Sequence, residues 1–180
     1  MNLLNEIISK KYARAYYMAE GEDLELKKTN LEKIILNIEK EMNNLTHPII
    51  TAEIKKFILD KIVDNAIKKS IAYRLVCVLI SDGKIKIIGG VYDKFVDLYL
   101  KSKGMSKLAV KARYQLSKEE EDKISYVFES IAGEKPVMDF KVDDNIIGGF
   151  LMKWEDKVFD STINKKIDML KTELEKEMQL

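Results

Sequence analysis

The chain of 180 residues has one cysteine, Cys77, and one histidine, His47. No disulfide can form within the chain, and the apolar setting of Cys77 in IAYRLVCVLI predicts a buried thiol in a reducing compartment. His47 precedes Pro48, where a surface or capping role is expected. A histidine-dependent nucleophile, or a zinc site with several Cys or His ligands, is therefore not indicated. The sequence contains no catalytic constellation and predicts no enzyme activity.

The chain also lacks an excess of either charge and a long apolar run. It has 31 Lys and Arg against 30 Asp and Glu, a net charge of +1. Lysines occur in pairs such as Lys27–Lys28, which are expected on solvated helix faces, so no nucleic-acid partner is predicted. The most apolar segment, residues 71–80, contains Arg74 and is much shorter than the about 20 residues of a membrane span. The N-terminal sequence MNLLNEIISKK has no basic start and is not expected to be a signal peptide.

Glycine is infrequent, yet the tetrapeptide IIGG occurs at 87–90 and again at 146–149. Neither copy fits a phosphate-binding loop, because Gly83–Lys84 is the only Gly-Lys pair and Ile85, not Ser or Thr, follows it. A calcium loop starting at Asp143 fails because Trp154 would stand at its last ligand position. No nucleotide, metal or other cofactor is therefore expected.

The glycine pairs need another explanation. The first lies within helical periodicity, which predicts either a close helix contact or a late helix start. The second precedes an apolar strand, where glycine permits unusual dihedral angles or the close approach of another backbone.

Helical periodicity dominates the first hundred residues. Helices are expected over residues 3–19, from about 24 to 43, after Thr51, over 71–80 and over 88–103. The segment LTHPIIT is expected to turn, because the residue before a proline disfavours helical geometry. In the helix after Thr51, the side chains expected to face the core are Ile54, Phe57, Ile58 and Ile62.

The pattern changes to period two at residue 107, where KLAVKARYQL predicts a strand over 107–116. Ser117 and Glu120 form a capping-box pattern for a following helix. PVMDFKV, FLMKW and KVFD predict further short strands. A closing helix has one apolar face, formed by Ile163, Ile167, Leu170, Leu174 and Met178. The expected fold class is therefore α+β, with a helical domain over 1–104 and a small α/β domain over 105–180.

The segment VDDNIIGGFLMKWEDKVFDSTINKKIDML closely resembles the C-terminal signature of the F-type ATP synthase delta subunit, called the oligomycin sensitivity-conferring protein in mitochondria. The matching positions are Val142, Asp143, Ile147, Gly148, Gly149, Asp160 and Ser161. Family members often have proline where this chain has Asp144, and a glycine between the later Asp and Ser, which are adjacent here. The turn at Asp160–Ser161 is therefore expected to be tighter than in those family members. KKYARAYYMAE, LTHPIITAEIKKFIL and KARYQLSKEEEDKI resemble other parts of the family in the same order.

The resemblance implies an N-terminal six-helix bundle followed by a small C-terminal α/β domain with a short, mostly antiparallel sheet. A sixth helix would then be a single turn around Met42–Leu45. It also implies a non-catalytic stator subunit that links the catalytic head to the peripheral stalk, so that ion-driven rotation is coupled to ATP synthesis. The implied partners are the N-terminal helix of the alpha subunit for the bundle and the peripheral-stalk b subunits for the C-terminal domain. The implied location is the cytoplasmic face of the bacterial plasma membrane, with membrane association only through the complex.

A helix-binding surface should use helices whose apolar face exceeds what their own core needs. The first helix, over 3–19, and the helix over 71–80, which is apolar almost all round, meet this condition. The candidate partner-binding residues are Tyr12, Ala15, Tyr16, Ala19, Ile71, Leu75, Val78 and Leu79. The alternative for each is a role in the internal core. Asp143, Gly148, Gly149, Asp160 and Ser161 are expected to be structural, the glycines shaping strand entry and the Asp160–Ser161 pair capping the last helix.

The residues themselves leave two other classes of function open. One is a small enzyme that uses the Gly-Gly turn. The other is a free-standing helical adaptor or nucleic-acid-binding module unrelated to ATP synthase.

Overall fold

The structure is a computed structural model that describes residues 3–155 and 157–177. The chain divides into two compact units, Met1–Tyr99 and Leu100–Leu180. The sequence placed a boundary at 104/105, whereas this division falls within the helix Ile88–Ser102. Met178, which the sequence placed on the apolar face of the closing helix, lies outside the described residues.

The first unit is helical. Its elements are α1 (Leu3–Met18), α2 (Leu24–Glu39), α3 (Met42–Thr46), α4 (Ala52–Ile62), α5 (Ile71–Ser81), a turn of 3-10 helix (Ile85–Ile87) and α6 (Ile88–Ser102), which crosses the division. The side-chain oxygens of Thr51 and Ser70 accept hydrogen bonds from backbone amides in the first turns of α4 and α5, so both helix starts are capped. The single turn expected near Met42 is present as α3.

The first glycine pair lies in the first turn of α6, which begins at Ile88. A Cβ atom added at Gly89 would meet no atom within 4 Å, so this glycine does not serve a close helix contact. Of the two explanations that the sequence offered, the late helix start is the one that applies to Gly89.

Two expectations for the first unit are wrong in detail. Ile54 and Phe57 of α4 were expected to face the core but are exposed, while Leu59 and Val63 are buried in their place. The helix is apolar on two faces, and periodicity alone does not tell which face meets the other helices. Cys77 is only partly buried.

The second unit combines a four-stranded sheet with two helices. Its elements are β1 (Met105–Ala112), α7 (Lys118–Ala132), β2 (Lys135–Val142), β3 (Phe150–Trp154), β4 (Lys157–Asp160) and α8 (Ile163–Glu177). The strand order is β2-β1-β3-β4, with β1 and β2 parallel and the other two pairings antiparallel. The fold class is thus α+β with a mixed sheet.

The core of the second unit lies between α7 and one face of the sheet. It consists of Leu108, Val110, Ile124, Phe128 and Met152. The predicted capping box is confirmed, because the Ser117 side chain accepts from the Glu120 amide and the Glu120 side chain accepts from the Ser117 amide.

The first strand is shorter than predicted. The expected strand over 107–116 ends at Ala112, and Tyr114 is exposed. Ala112 pairs with Val142, the last residue of β2, and with Phe150, the first residue of β3. Beyond Ala112 neither neighbouring strand continues, so the alternating pattern has no backbone partner to extend it.

No helix in the described part of the chain combines the length and apolar character needed to cross a membrane.

Candidate protein-binding surfaces

Helices α1 and α5 lie side by side, and a carboxylate joins α1 or the residues after it to each end of α5. The backbone amide of Ile71, at the start of α5, donates to Glu22 Oε1 at 2.9 Å, just after α1. The Tyr12 hydroxyl donates to the carboxylate of Asp82, at the other end of α5. The two helices therefore run antiparallel. The hydrogen bond to Asp82 raises the pKa of Tyr12, with burial as a further cause.

The adjoining sides of these helices carry the same spacing of apolar residues. Tyr12 belongs to an i, i+4, i+7, i+11 series that begins on α1, and Asp82 ends such a series on α5, so helical spacing places both series on the helix sides that carry the Tyr12–Asp82 hydrogen bond. The series on α1 is Ile8, Tyr12, Ala15 and Ala19, and the series on α5 is Ile71, Leu75, Val78 and Asp82. We call the accessible part of this strip the α1–α5 surface: Ile8, Tyr12, Ala15, Ala19, Ile71 and Val78.

Five of the eight predicted partner-binding residues belong to the α1–α5 surface. Ala15 is exposed, Val78 is 47% exposed, and Tyr12, Ala19 and Ile71 are partly exposed. The alanines allow a partner backbone to approach closely, and the tyrosine ring adds apolar area. The five residues come from two segments that are remote in sequence, and the fold places the helices α1 and α5 side by side.

The other three predicted residues are buried in the first unit: Tyr16, Leu75 and Leu79. The ring of Tyr16 lies 4.8 Å from the ring of Phe95, and its hydroxyl donates to the Lys27 carbonyl oxygen at 2.9 Å. Burial raises the pKa of Tyr16. These side chains contribute to the internal core and leave a partner little or no surface. A stripe on an all-round apolar helix does not show which of its residues stay accessible.

Ile8 was not among the predicted partner-binding residues. It is partly exposed, one turn before Tyr12 on the side that meets α5. The signal that would have found it is its i, i+4 relation to Tyr12.

Basic groups border the α1–α5 surface. Lys11 and Arg74 are exposed, and the Lys84 ammonium lies 5.6 Å from the centre of the Tyr12 ring. A partner with carboxylates beside its apolar face would be complementary to this border.

Lys27 contradicts the expectation that paired lysines are solvated. It is 2% exposed, and its ammonium donates to the carbonyl oxygens of Tyr17, at 3.2 Å, and Ala19. These carbonyls stand at the C-terminal end of α1, where a helix has unpaired acceptors and partial negative charge. A lysine of α2 thus caps α1 and fixes the end of the helix that carries Ala15 and Ala19.

The second glycine pair lies where β3 meets the start of α8. Gly149 has a φ of 81°, and a Cβ atom there would collide with the Ser161 carbonyl oxygen and lie 3.1 Å from Thr162 Cα. At Gly148 an added Cβ would lie 2.8 Å from Ile163 Cδ1. Both explanations that the sequence offered, unusual dihedral angles and the close approach of another backbone, therefore apply to Gly149, whereas Gly148 is approached by a side chain.

Two aspartates shape the turns on either side of β3 and β4. Asp143 Oδ1 accepts from the Asn145 amide at 3.2 Å, and Lys111 Nζ lies 3.3 Å from Asp143 Oδ2. These hydrogen bonds, with the bond from the Asn145 amide first, lower the pKa of Asp143. Asp160 Oδ1 accepts from the Thr162 hydroxyl at 2.7 Å and the Thr162 amide at 3.0 Å, which lowers the pKa of Asp160.

The cap of the last helix differs from the prediction. The Thr162 hydroxyl oxygen accepts from the Lys165 amide at 3.3 Å, so Thr162 caps α8 instead of Asp160–Ser161. Asp160 orients that threonine, and the Ser161 amide donates to the Phe150 carbonyl oxygen at 3.0 Å.

Within residues 3–155 and 157–177, no group of three or more His, Cys, Asp or Glu side chains is arranged to hold a metal ion. What the described residues offer is exposed apolar helix surface, a feature typical of protein-binding surfaces.

Comparison with known proteins identifies the family. The family model described as ATP synthase delta (OSCP) subunit matches residues 8–174. The chain belongs to this family.

Curated relatives are ATP synthase delta subunits, and a solved structure shares the fold. The ATP synthase subunit delta of Lachnoclostridium phytofermentans is 27% identical over 177 residues, covering 94% of this chain and 96% of the relative. That of Desulfosudis oleivorans is 24% identical over 177 residues, covering 96% and 97%. A chain in the cryo-EM structure of the Toxoplasma gondii mitochondrial ATP synthase hexamer has the same fold, with a TM-score of 0.69 at 15% identity and coverage of 97% and 98%.

Proposed function

We infer that this chain is the delta-type stator subunit of an F-type ATP synthase, linking the catalytic head to the peripheral stalk without performing chemistry itself. The observation that carries the inference is the family match over residues 8–174. A stator subunit must hold two neighbours at once, and the chain has two compact units with exposed apolar helix surface in each. Its place is then in a membrane-associated complex, which we propose to lie at the cytoplasmic face of the bacterial plasma membrane.

We propose that the helices of the first unit form the six-helix bundle of this family and bind the N-terminal helix of the alpha subunit at the α1–α5 surface. Small residues at 15 and 19 on one side and Val78 on the other suit an apolar helix face. Lys11 and Arg74 border the surface and suit acidic residues flanking that face. The second unit would hold the peripheral-stalk b subunits.

Calorimetry with the purified full-length chain tests the contact with the alpha subunit. The ligand is a synthetic peptide of the alpha-subunit N-terminal helix from the same organism. We expect Ala15→Asp to abolish binding while the circular dichroism spectrum stays native, because a carboxylate would be buried in an apolar interface. Ile7→Asp is the matched control, since Ile7 is an exposed apolar residue of α1 outside the α1–α5 surface.

The possible results test the role of Ala15 and the alpha-subunit contact separately. Equal affinity of wild type and Ala15→Asp would remove Ala15 from the site. Absence of wild-type binding would contradict the alpha-subunit contact. Assembly into the complex is tested independently by purifying a tagged chain. We expect ATP synthase subunits to co-purify with it.

A further inference from the structure

The end of α5 contains the only Asp-Gly sequence of the chain, Asp82–Gly83, and the chain contains no Asn-Gly. An aspartate that precedes glycine is the aspartate most readily isomerised in proteins, because glycine has no Cβ atom to hinder attack by its own backbone nitrogen. Both residues are exposed, so solvent reaches the pair. The pair is therefore a candidate for a covalent change that neither the fold nor the proposed function requires.

Isomerisation of such a pair is a balanced rearrangement of the backbone. The Gly83 nitrogen attacks the side-chain carboxyl carbon of Asp82, a C–N bond forms, and a carboxyl oxygen leaves as water, which gives a five-membered succinimide. Water then adds at the former backbone carbonyl carbon of Asp82, and the C–N bond at that carbon breaks. The product is isoaspartate, in which the main chain runs through Cβ and a free carboxylate stands on Cα. One water is released and one is consumed, so no oxidant, reductant or other reactant is needed.

The backbone at the end of α5 has a conformation that opposes ring closure. The ψ of 0° at Asp82 places the Gly83 nitrogen beside the Asp82 nitrogen and away from Cβ. The Gly83 amide donates to the Ile80 carbonyl oxygen at 3.1 Å, and the Lys84 amide donates to the Leu79 carbonyl oxygen at 2.8 Å. With a φ of 65° at Gly83, these two hydrogen bonds form a Schellman motif. The attacking nitrogen is therefore held in a hydrogen bond and turned away from its target.

The carboxylate of Asp82 is held separately, by α1. The Tyr12 hydroxyl donates to Asp82 Oδ2, and such a donor favours the carboxylate anion over the neutral acid. The anion is the poorer electrophile, because its negative charge repels an attacking nitrogen. The Lys84 ammonium lies 5.6 Å from the centre of the Tyr12 ring and adds a second contact between α1 and this turn. Helix α1 thus holds the carboxylate, while the last turn of α5 holds the nitrogen.

We propose that Asp82–Gly83 is a modification site at which isoaspartate forms, and that α1 and the Schellman motif restrict the reaction to molecules in which this end of α5 has opened. The product adds one carbon to the main chain at the helix end and carries its carboxylate one bond closer to the main chain. Tyr12 then loses its acceptor, and the joint between α1 and this end of α5 is lost. The change therefore damages the α1–α5 surface, whichever partner binds there.

The experiment incubates the full-length chain, folded in buffer and unfolded in urea, at one temperature and pH. Trypsin then releases the peptide Leu75–Lys84, whose only aspartate is Asp82. Because isomerisation leaves the mass unchanged, the isoaspartyl form is separated by chromatography and identified against a synthetic isoaspartyl peptide. We expect the isoaspartyl peptide to form at least about tenfold faster in urea than in the folded chain, since the folded chain reacts only through local opening.

Two tyrosine variants test the contact with α1. Tyr12→Phe should speed the reaction of the folded chain about three- to tenfold, because it removes one hydrogen bond to a charged group. Tyr17→Phe is the matched control, since Tyr17 is a partly exposed tyrosine of the same helix outside the α1–α5 surface. We expect the control to react within about twofold of wild type. In urea all three chains should react at the same rate, because the contact is absent there.

Three results would overturn the proposal in different ways. Absence of the isoaspartyl peptide from the unfolded chain would mean that Asp82–Gly83 is not a modification site. Equal rates in buffer and in urea would mean that the fold gives no protection, and this comparison needs no variant. A folded Tyr12→Phe chain that reacts at the rate of Tyr17→Phe would remove α1 from the protection.

Discussion

The buried ammonium group of Lys27 donates a hydrogen bond to the backbone carbonyl oxygen of Tyr17 at 3.2 Å, at the C-terminal end of α1. The same group also donates to the Ala19 carbonyl oxygen. One side chain of α2 therefore satisfies two acceptors that α1 cannot satisfy itself. The contact holds the end of α1 that carries part of the α1–α5 surface.

Lys27→Met should lower the free energy of unfolding by about 1–3 kcal/mol, because two partly buried carbonyl oxygens lose their donor while the aliphatic volume is kept. Urea denaturation followed by circular dichroism measures the change. Lys33→Met is the control, since Lys33 is an exposed residue of the same helix. A Lys27→Met protein as stable as the control variant would show that the contact contributes nothing.

Gly149→Ala should destabilise the second unit by about 3 kcal/mol or more, because it combines a left-handed backbone with a collision against the Ser161 carbonyl. Gly133→Ala is the matched control. Gly133 has a similar φ of 70°, but a Cβ atom there meets nothing within 4 Å, so only a backbone cost of about 1–2 kcal/mol is expected.

Trp154 provides the measurement for this pair of variants. It is the only tryptophan of the sequence and lies in the second unit, where it packs against Phe128. Its fluorescence during urea denaturation therefore reports the second unit. Equal losses in the two alanine variants would mean that the close approach of Ser161 carries no cost.

Glu22→Ala should lower the stability of the first unit by about 0.5–2 kcal/mol, because the Ile71 amide at the start of α5 loses its acceptor. Glu22 Oε2 also accepts from Asn30 Nδ2 at 3.4 Å, so the contact to α2 is lost as well. Glu20→Ala, an exposed glutamate two residues earlier, is the control. In thermal unfolding followed by circular dichroism, the control should have a higher melting temperature than Glu22→Ala. The reverse order would contradict the role of Glu22.

Asp160→Asn should make stability less dependent on acid pH. The hydrogen bonds from Thr162, the side-chain bond first, hold the pKa of Asp160 below its ordinary value of 3.8. A lowered pKa in the folded state means that the contribution is present above the unfolded value and lost as pH falls through the folded value. The stability gap between wild type and Asp160→Asn should therefore be open near neutral pH and close in acid.

Urea denaturation at about pH 7 and about pH 2.5, followed by Trp154 fluorescence, measures that gap. Asp168→Asn, at an exposed carboxylate of α8, serves as the control. A gap of constant size at both pH values would remove Asp160 from the acid response.

Several elements followed directly from sequence patterns. The capping box at Ser117 and Glu120, the two short strands FLMKW and KVFD, and the helix over 71–80 each have a local sequence signal. The single-turn helix at Met42–Thr46 came only from the family resemblance, because five residues are too few for a periodic signal.

The errors have a common physical cause. The β1 pattern continues to Leu116, yet the strand ends at Ala112 because its neighbours end there. Lys27 belongs to a lysine pair that would normally be solvated, and burial becomes acceptable only because the end of α1 supplies carbonyl acceptors. In both cases the deciding partner is remote in sequence.

The sequence by itself determined three things. It contains no nucleotide-loop motif or catalytic constellation, it resembles one family, and two of its helices have more apolar residues than their own core needs. Only the tertiary structure decided which of those residues a partner can reach: Ala15 and Val78 stay accessible, whereas Tyr16 and Leu79 are buried. The reason is that periodicity places residues on a face of a helix, while accessibility depends on which neighbouring helices pack against that face.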